Sequence, residues 1–289
     1  MTTFDIISDT HFDFYKDSLY SKNKGKYTFY QRNFFFREPV LDLKNKRDFV
    51  DLWKSWKPKS KHLLIAGDIG HDNAENALCL KYLREEFYDT ICLVIGNHDL
   101  YLVDYESKDS LERLKDFKEK VNKLDSVFLL DGSIVYIEDV RVGGAMGWYD
   151  GSFIKSKTIS QKNHLWYNSM NDSRYVRSEH LPYPLAFDTL HKIEYPKLEY
   201  IADKSDIILS HINPSNQPIH QDEDFVHLDS TGFYSFDGSR LLESTIAKHW
   251  VYGHTHSAKS FKINKTKIQC NPRGYPWQNE KFLIKQVKI

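Results

Sequence analysis

Five short apolar runs punctuate the chain, at residues 4–7, 63–66, 91–95, 207–209 and 250–252. Continuous runs of that length read as strands buried on both faces, the pattern of a parallel sheet. Between the first three lie stretches with helical spacing. One covers 46–56. The next, 73–87, puts Leu78, Tyr82 and Leu83 on one face with Asn73 as its cap, and a third is opened by Ser107 or Ser110 and runs to about residue 121. The alternation then stops, because strands near 127–130, 134–137 and 140–146 follow one another with no helix between them. The remainder reads as a helix over 189–201, a second from Ser239 to about Ala247, and strands at 259–263, 267–270 and 282–287. Strand–helix units followed by strand-rich segments predict a layered α/β architecture. There is no internal repeat, Gly/Ser linker or low-complexity tract.

Each of the five runs is followed at once by residues that ligate metals. They are Asp9-Thr10-His11, Gly67-Asp68, Gly96-Asn97-His98-Asp99, His211 and Gly253-His254-Thr255-His256. Two divalent ions about 3.5–4 Å apart can clamp a phosphoryl group and generate hydroxide between them at neutral pH. Such a pair needs a bridging carboxylate to offset its repulsion, and Asp68 is the natural bridge. Residues i and i+2 of a strand point the same way, so Asp9 with His11 and His254 with His256 each offer a paired donor set. Gly67, Gly96 and Gly253 permit sharp turns and close backbone approach before the ligands. A lone Gly-Asp or His-x-His occurs by chance in many chains, but five fragments in this order give a complete ligand set.

The order resembles the calcineurin-like metallophosphoesterase superfamily, whose pattern is Asp-x-His, Gly-Asp, Gly-Asn-His-Asp/Glu, His, Gly-His-x-His; every part is present between Asp9 and His256. The resemblance implies two packed mixed β-sheets flanked by helices. It also implies one metal on Asp9, His11, Asp68 and His256 and another on Asp68, Asn97, His211 and His254. His98 matches the family's non-ligand histidine, which assists the leaving oxygen or stabilises the transition state, and Asp99 follows it as a partner that orients a nearby group. The mixed N/O donors suit Mn²⁺, Fe or Zn²⁺, with Mn²⁺ favoured, better than Mg²⁺ or Ca²⁺.

Finer features resemble a branch of bacterial and phage-encoded phosphoesterases: Gly144-Ala145-Met146-Gly147-Trp148, Met170-Asn171-Asp172-Ser173-Arg174 and Asn271-Pro272-Arg273-Gly274-Tyr275. Arg174 is a candidate substrate-phosphate contact or a surface ion-pair partner. Arg273 is a second candidate substrate contact, with a structural turn the favoured alternative. Protein phosphatases of the superfamily carry Gly-Asp-x-Val-Asp-Arg-Gly and Arg-Gly-Asn-His-Glu. Here Ile69-Gly70-His71-Asp72 and Ile95-Gly96 lack those arginines, which argues against protein phosphatase activity. The purple acid phosphatase pattern is absent too, and no length remains for the capping modules usual in repair nucleases. His71 reads as a polar loop residue.

Lys+Arg and Asp+Glu are both 40 in 289 residues, so no global basic field advertises nucleic-acid binding. The length suits one large domain whose ligands come from near both ends, with insertions near 12–43 and 151–187. The first insertion mixes aromatic and basic residues that can hold nucleic acid or simply pack an ordered loop; the second is polar, and both can rim the metals. With no leader-like start, no apolar stretch long enough to span a bilayer, and Cys79, Cys92 and Cys270 lacking metal spacing, a cytoplasmic protein with buried thiols is expected. The functional expectation is therefore dinuclear metal-dependent hydrolysis of a phosphorylated small molecule or nucleotide, hydroxide attacking phosphorus in line. The alternatives are a nuclease or cyclic-nucleotide phosphodiesterase, and a non-catalytic scaffold on the same fold.

Overall fold

The computed structural model describes residues 1–15, 42–103 and 108–289, so most of the 12–43 insertion, and Ser107, lie outside the described residues. In chain order the first half holds β1 (Thr3–Ile7), α1 (Lys46–Ser55), β2 (His62–Ala66), α2 (Asn73–Glu86), β3 (Thr90–Val94), α3 (Ser110–Val121), β4 (Val127–Leu129), β5 (Ser133–Ile137) and β6 (Val140–Gly144). The second half holds α4 (Ile159–Ser169), α5 (Asp172–Tyr175), α6 (His191–Ala202), β7 (Ile207–Leu209), α7 (Ser239–Ser244), β8 (His249–Tyr252), β9 (Lys259–Ile263), β10 (Thr266–Cys270) and β11 (Lys285–Lys288).

The strands form two mixed sheets, ordered β11-β1-β2-β3-β4 and β5-β6-β7-β8-β10-β9. In the first, β1 to β4 run parallel and β11 antiparallel at the edge. In the second, β6, β7, β8 and β10 are parallel and β5 and β9 close the edges antiparallel. Alternation along the strands explains the layering. Phe4, Ile6, Leu64, Ala66, Cys92 and Val94 meet Val140, Val142, Ile207, Leu209 and Val251 in a core between the sheets. The intervening Leu63, Ile65, Ile91 and Leu93 face Phe49, Trp53, Leu80, Leu83 and Phe117 of α1 to α3, while Ile208 and Trp250 join a cluster with Leu198, Ile201, Leu241 and Leu242 of α6 and α7. Strands buried on both faces are therefore continuous apolar runs in sequence.

Helix ends depart from expectation by one to three residues. Asp72, not Asn73, caps α2, accepting from the N–H groups of Ala74 and Glu75; Asn73 instead donates to the Arg113 carbonyl. The buried face of α2 carries Asn76, Cys79, Leu80 and Leu83, with Leu78 and Tyr82 half-buried. Asp109 caps α3 through Leu111 and Glu112, and Ser110 is its first residue. Ser239 is the first residue of α7, not its cap, and the helix ends at Ser244, before Ala247. The polar 151–187 segment contains α4, closed by a capping box between Thr158 and Gln161 and burying Trp166. All three cysteines are buried and free.

Candidate metal centre

Five of the chain's ligand-bearing loops leave the carboxyl ends of parallel strands: β1, β2 and β3 in one sheet, β7 and β8 in the other. That end of an open parallel sheet is where α/β folds collect ligands. The loops are laced together by backbone bonds, Asp9 N–H to the Gly67 carbonyl at 3.0 Å, His11 N–H to Asp68 at 3.1 Å and Gly253 N–H to His211 at 2.9 Å. Asp9 and His11 lie beyond β1, and His254 and His256 beyond β8, so the pleat does not pair them as expected from the sequence. Left-handed backbone does. Asp9, His11, Asp68, His254 and His256 have φ of 53°, 41°, 55°, 70° and 51°. A Cβ on Gly67, itself at φ 86°, would sit 2.5 Å from His211 Nδ1, which is why this position tolerates no side chain.

Two donor groups converge, sharing one residue. Asp9, His11, Asp68 and His256 offer ligand atoms all within 4.8 Å of one another, and so do Asp68, His211 and His254. Asp68 Oδ2 faces both sides, 3.7 Å from His11 Nε2 and 3.3 Å from His211 Nε2, while Oδ1 accepts the His98 N–H at 2.9 Å. Asn97 joins the second group, its Oδ1 2.9 Å from His211 Nε2.

Hydrogen bonds behind the imidazoles set which nitrogen faces the site. His211 Nδ1 donates to the Ala66 carbonyl at 2.8 Å, leaving Nε2 inward. His256 Nδ1 donates to Gln278 Oε1 at 2.8 Å, and that oxygen is fixed by the Tyr275 N–H, so His256 Nε2 faces His11 Nε2 at 3.0 Å and Asp9 Oδ1 at 3.5 Å. His254 reverses the pattern: Nε2 donates to the Phe233 carbonyl at 3.1 Å and Nδ1 is left for the site. Asp9 Oδ2 is buried with no hydrogen-bond partner. Acceptor atoms turned toward one another, and an orphaned buried carboxylate oxygen, fit a shared cation. Electrostatics agree. Burial lowers His211, but Asp68 and Asp9 outweigh it and push its pKa up to about 9, a proton serving where a cation fits. Burial holds His11 and His254 well below the usual histidine range, in the neutral form that ligates. Burial raises Asp68, yet His211 and His98 hold it well below the usual carboxylate range.

His98 lies beside the donors and outside both groups. Its Nδ1 is 3.1 Å from His71 Nε2, and His71 Nδ1 lies 2.8 Å from Asp13 Oδ2. Burial takes the His98 pKa down to about 4. The ring stacks on Tyr101, centroids 4.4 Å apart. His71 is thus no ordinary loop residue.

Three further candidate residues have these places. The Asp99 carboxylate accepts N–H bonds from Asp68, Ile69 and Gly96 at 3.1, 3.2 and 2.7 Å, tying the second and third ligand loops together. Burial, then Asp68, pushes its pKa up to about 7. Arg273 is buried, with its guanidinium on the carbonyls of Tyr275, Pro276 and Gln278, so it shapes the loop that carries Gln278 and has no free fork for a phosphate. Arg174 is exposed on α5 and makes no ion pair among the described residues. Sequence reasoning also missed the roles of Asp13, Gln278 and Asp172 behind the donors; Asp172 lies in the 170–174 stretch that stood out by resemblance, but no local pattern marks what any of the three contacts.

Residues 2–258 match the family model described as calcineurin-like phosphoesterase. The chain belongs to this family. A viral relative, uncharacterized protein L509 of Acanthamoeba polyphaga mimivirus, is 26% identical over 236 residues, 76% of this chain and 81% of that protein. The crystal structure of phosphopantetheinyl hydrolase (PptH) from Mycobacterium tuberculosis superposes with a TM-score of 0.68, covering 99% of this chain and 95% of that one at 16% identity. At that identity the likeness speaks to the fold: two mixed sheets with flanking helices, as the ligand order implied. Among the described residues no helix is long and apolar enough to cross a membrane.

Proposed function

We propose that this phosphoesterase family member is a dinuclear metal-dependent hydrolase of a phosphorylated small molecule or nucleotide. One observation carries the reading: two donor groups share a single carboxylate, with His11 of one and His211 of the other both beside Asp68 Oδ2. Asp9, His11, Asp68 and His256 would hold one ion and Asp68, Asn97, His211 and His254 the other, with Mn²⁺ favoured among Mn, Fe and Zn for this donor mix. When bound, such a pair supplies Lewis-acid polarisation of phosphoryl oxygens and an activated water at neutral pH.

The chain's own groups do the rest. Burial works to lower the His71 pKa, but Asp13 outweighs it; a cationic His71 donates from Nδ1 to Asp13 and from Nε2 to His98 Nδ1, so the neutral His98 carries its hydrogen on Nε2, which has no protein partner among the described residues and can give that hydrogen to the leaving oxygen. Asp99 keeps the Asp68 and Asn97 loops in register. A binding scaffold has no use for seven donors and His98 together. Beside the donors, Tyr275 packs on His11 and His256 at 4.7 and 4.8 Å and on Trp277 at 4.9 Å. That wall favours, as a second reading, a phosphodiester, either a cyclic nucleotide or a nucleic-acid strand, whose base stacks there. A metal-reconstituted screen against p-nitrophenyl phosphate, its bis ester, cyclic nucleotides and single-stranded DNA separates the readings. Turnover of the monoester alone would exclude the second reading, and no turnover with two ions bound would sink the first.

A further inference from the structure

Asn97 is a neutral ligand candidate whose two amide ends are nearly the same size, so nothing steric decides whether its oxygen or its nitrogen faces a cation. The decision is made behind it. Asp172 lies 75 residues away in sequence, at the start of α5 in the 151–187 segment, and is fully buried. Its Oδ1 accepts from Asn97 Nδ2 at 2.7 Å and from the Tyr101 hydroxyl at 2.7 Å. Its Oδ2 accepts from the Tyr149 hydroxyl at 2.7 Å, and Tyr149 in turn accepts from Trp166 Nε1. Asn97 Nδ2 gives its second hydrogen to the Tyr101 oxygen at 3.0 Å. Both amide hydrogens are thus engaged away from the site, and Oδ1 is left facing His211 Nε2. The position of Asp172 is itself built in: the Leu102 N–H donates to the Tyr175 carbonyl at 2.9 Å, joining α5 to the loop that carries Asn97.

We infer that Asp172 is a positioning residue that locks the Asn97 amide with its oxygen toward the second metal position, so the 151–187 segment completes the centre without touching an ion. Turning the amide over would strand two N–H donors against a cation and leave a buried carboxylate short of a donor, which is why the orientation is held. The inference rests on the metal-centre reading above. It makes a demand that simple structural damage would not: the need for Asp172 disappears once residue 97 offers oxygen on both faces.

The test is a charge-conserving swap, read by metal content and by the visible spectrum of the Co²⁺-substituted full chain. Asp172→Asn should hold about one Co²⁺ per chain where the parent protein holds two, with affinity at the second position weakened at least tenfold. Asp172→Asn with Asn97→Asp should regain the second ion, because a carboxylate at 97 accepts from the new amide at 172 and still presents an oxygen inward. If Asp172→Asn fails to fold, Tyr101→Phe takes its place: it removes the acceptor of the second amide hydrogen and one donor to Asp172, so it should weaken the second position alone, and parental affinity there in a folded Tyr101→Phe would overturn the inference. Two ions bound by Asp172→Asn with parental affinity, or a folded double variant no better than the single one, would overturn the inference and leave the metal reading intact. A parent protein that binds no divalent ion would overturn both.

Discussion

Five of the ten non-glycine residues with positive φ among those described are candidate ligands: Asp9, His11, Asp68, His254 and His256. Left-handed backbone costs an ordinary residue roughly 1–2 kcal/mol, so strain is concentrated where the donors turn inward. Asn tolerates that conformation nearly as well as Asp, which makes Asp68→Asn a clean probe of the bridging charge. It should lose both ions from tight binding, since only residue 68 faces both donor groups; metal analysis finding two tightly held ions in that variant would refute the bridge. His98→Ala should keep both ions and lose about 10²–10⁴-fold in turnover, most for alkoxide-like leaving groups and least for p-nitrophenolate, which departs without a proton. His71→Ala should reproduce part of that leaving-group dependence, because it releases His98 Nδ1 while leaving the ring in place. An equal loss for all leaving groups would instead assign His98 to charge stabilisation.

Helix ends show how far elements can be read from sequence. The five strands that carry ligands were legible because burial on both faces leaves continuous apolar runs, and their loops because metal donors recur at each run's end. The caps of α2 and α3 were misplaced by one residue because Asp72-Asn73 and Asp109-Ser110 each pair two good cap formers, and only the packed structure says which one turns back. Helix α4 hid in a polar stretch because Trp166 is its only fully buried residue. The 170–174 stretch stood out by resemblance, but the role of Asp172 within it could not be read, since that lies in a contact with Asn97 across 75 residues. Asp109 carries an element-scale prediction. It accepts from Leu111 and Glu112 in the first turn of α3 and from the Ser178 hydroxyl and Glu179 N–H, joining that turn to the 151–187 segment. Asp109→Ala should cost about 1–2 kcal/mol of stability near neutral pH. Burial works to raise the Asp109 pKa, but the Ser178 hydroxyl and the N–H groups outweigh it and hold it below 3.8. A lowered folded pKa means the carboxylate stabilises the fold above about pH 3.8 and loses that contribution as pH falls through the folded value. Chemical denaturation of both proteins should therefore show the deficit shrinking in strong acid; a constant deficit would mean the charge is immaterial.

At the scale of the molecule, the donor set spans both sheets. Asp9, His11, Asp68 and Asn97 follow strands of the five-stranded sheet, and His211, His254 and His256 follow strands of the six-stranded one. Away from that edge the sheets are held by apolar contact, Phe4, Ile6, Leu64 and Val94 against Val142, Ile207, Leu209 and Val251. At the edge itself the sheets meet through polar groups, with His211 Nδ1 donating to the Ala66 carbonyl and the His254 N–H to Asp9 Oδ1. Buried carboxylates and neutral imidazoles facing one another are costly without a cation, so bound metal should act as a clamp on the whole fold. A ligand that binds only the native state adds about 2.7 kcal/mol at one hundred times its Kd and about 4.1 at one thousand times. For a chain of this size that corresponds to a fall in Tm of roughly 4–7 °C for each ion that a chelator strips. Thermal unfolding of the reconstituted protein with and without chelator measures it. His98→Ala, which keeps every donor, should show the same fall, whereas Asp68→Asn, already short of metal, should show almost none. A parent Tm unmoved by chelation would mean that the two sheets are joined by their apolar core alone and that the edge carries no cation worth its desolvation.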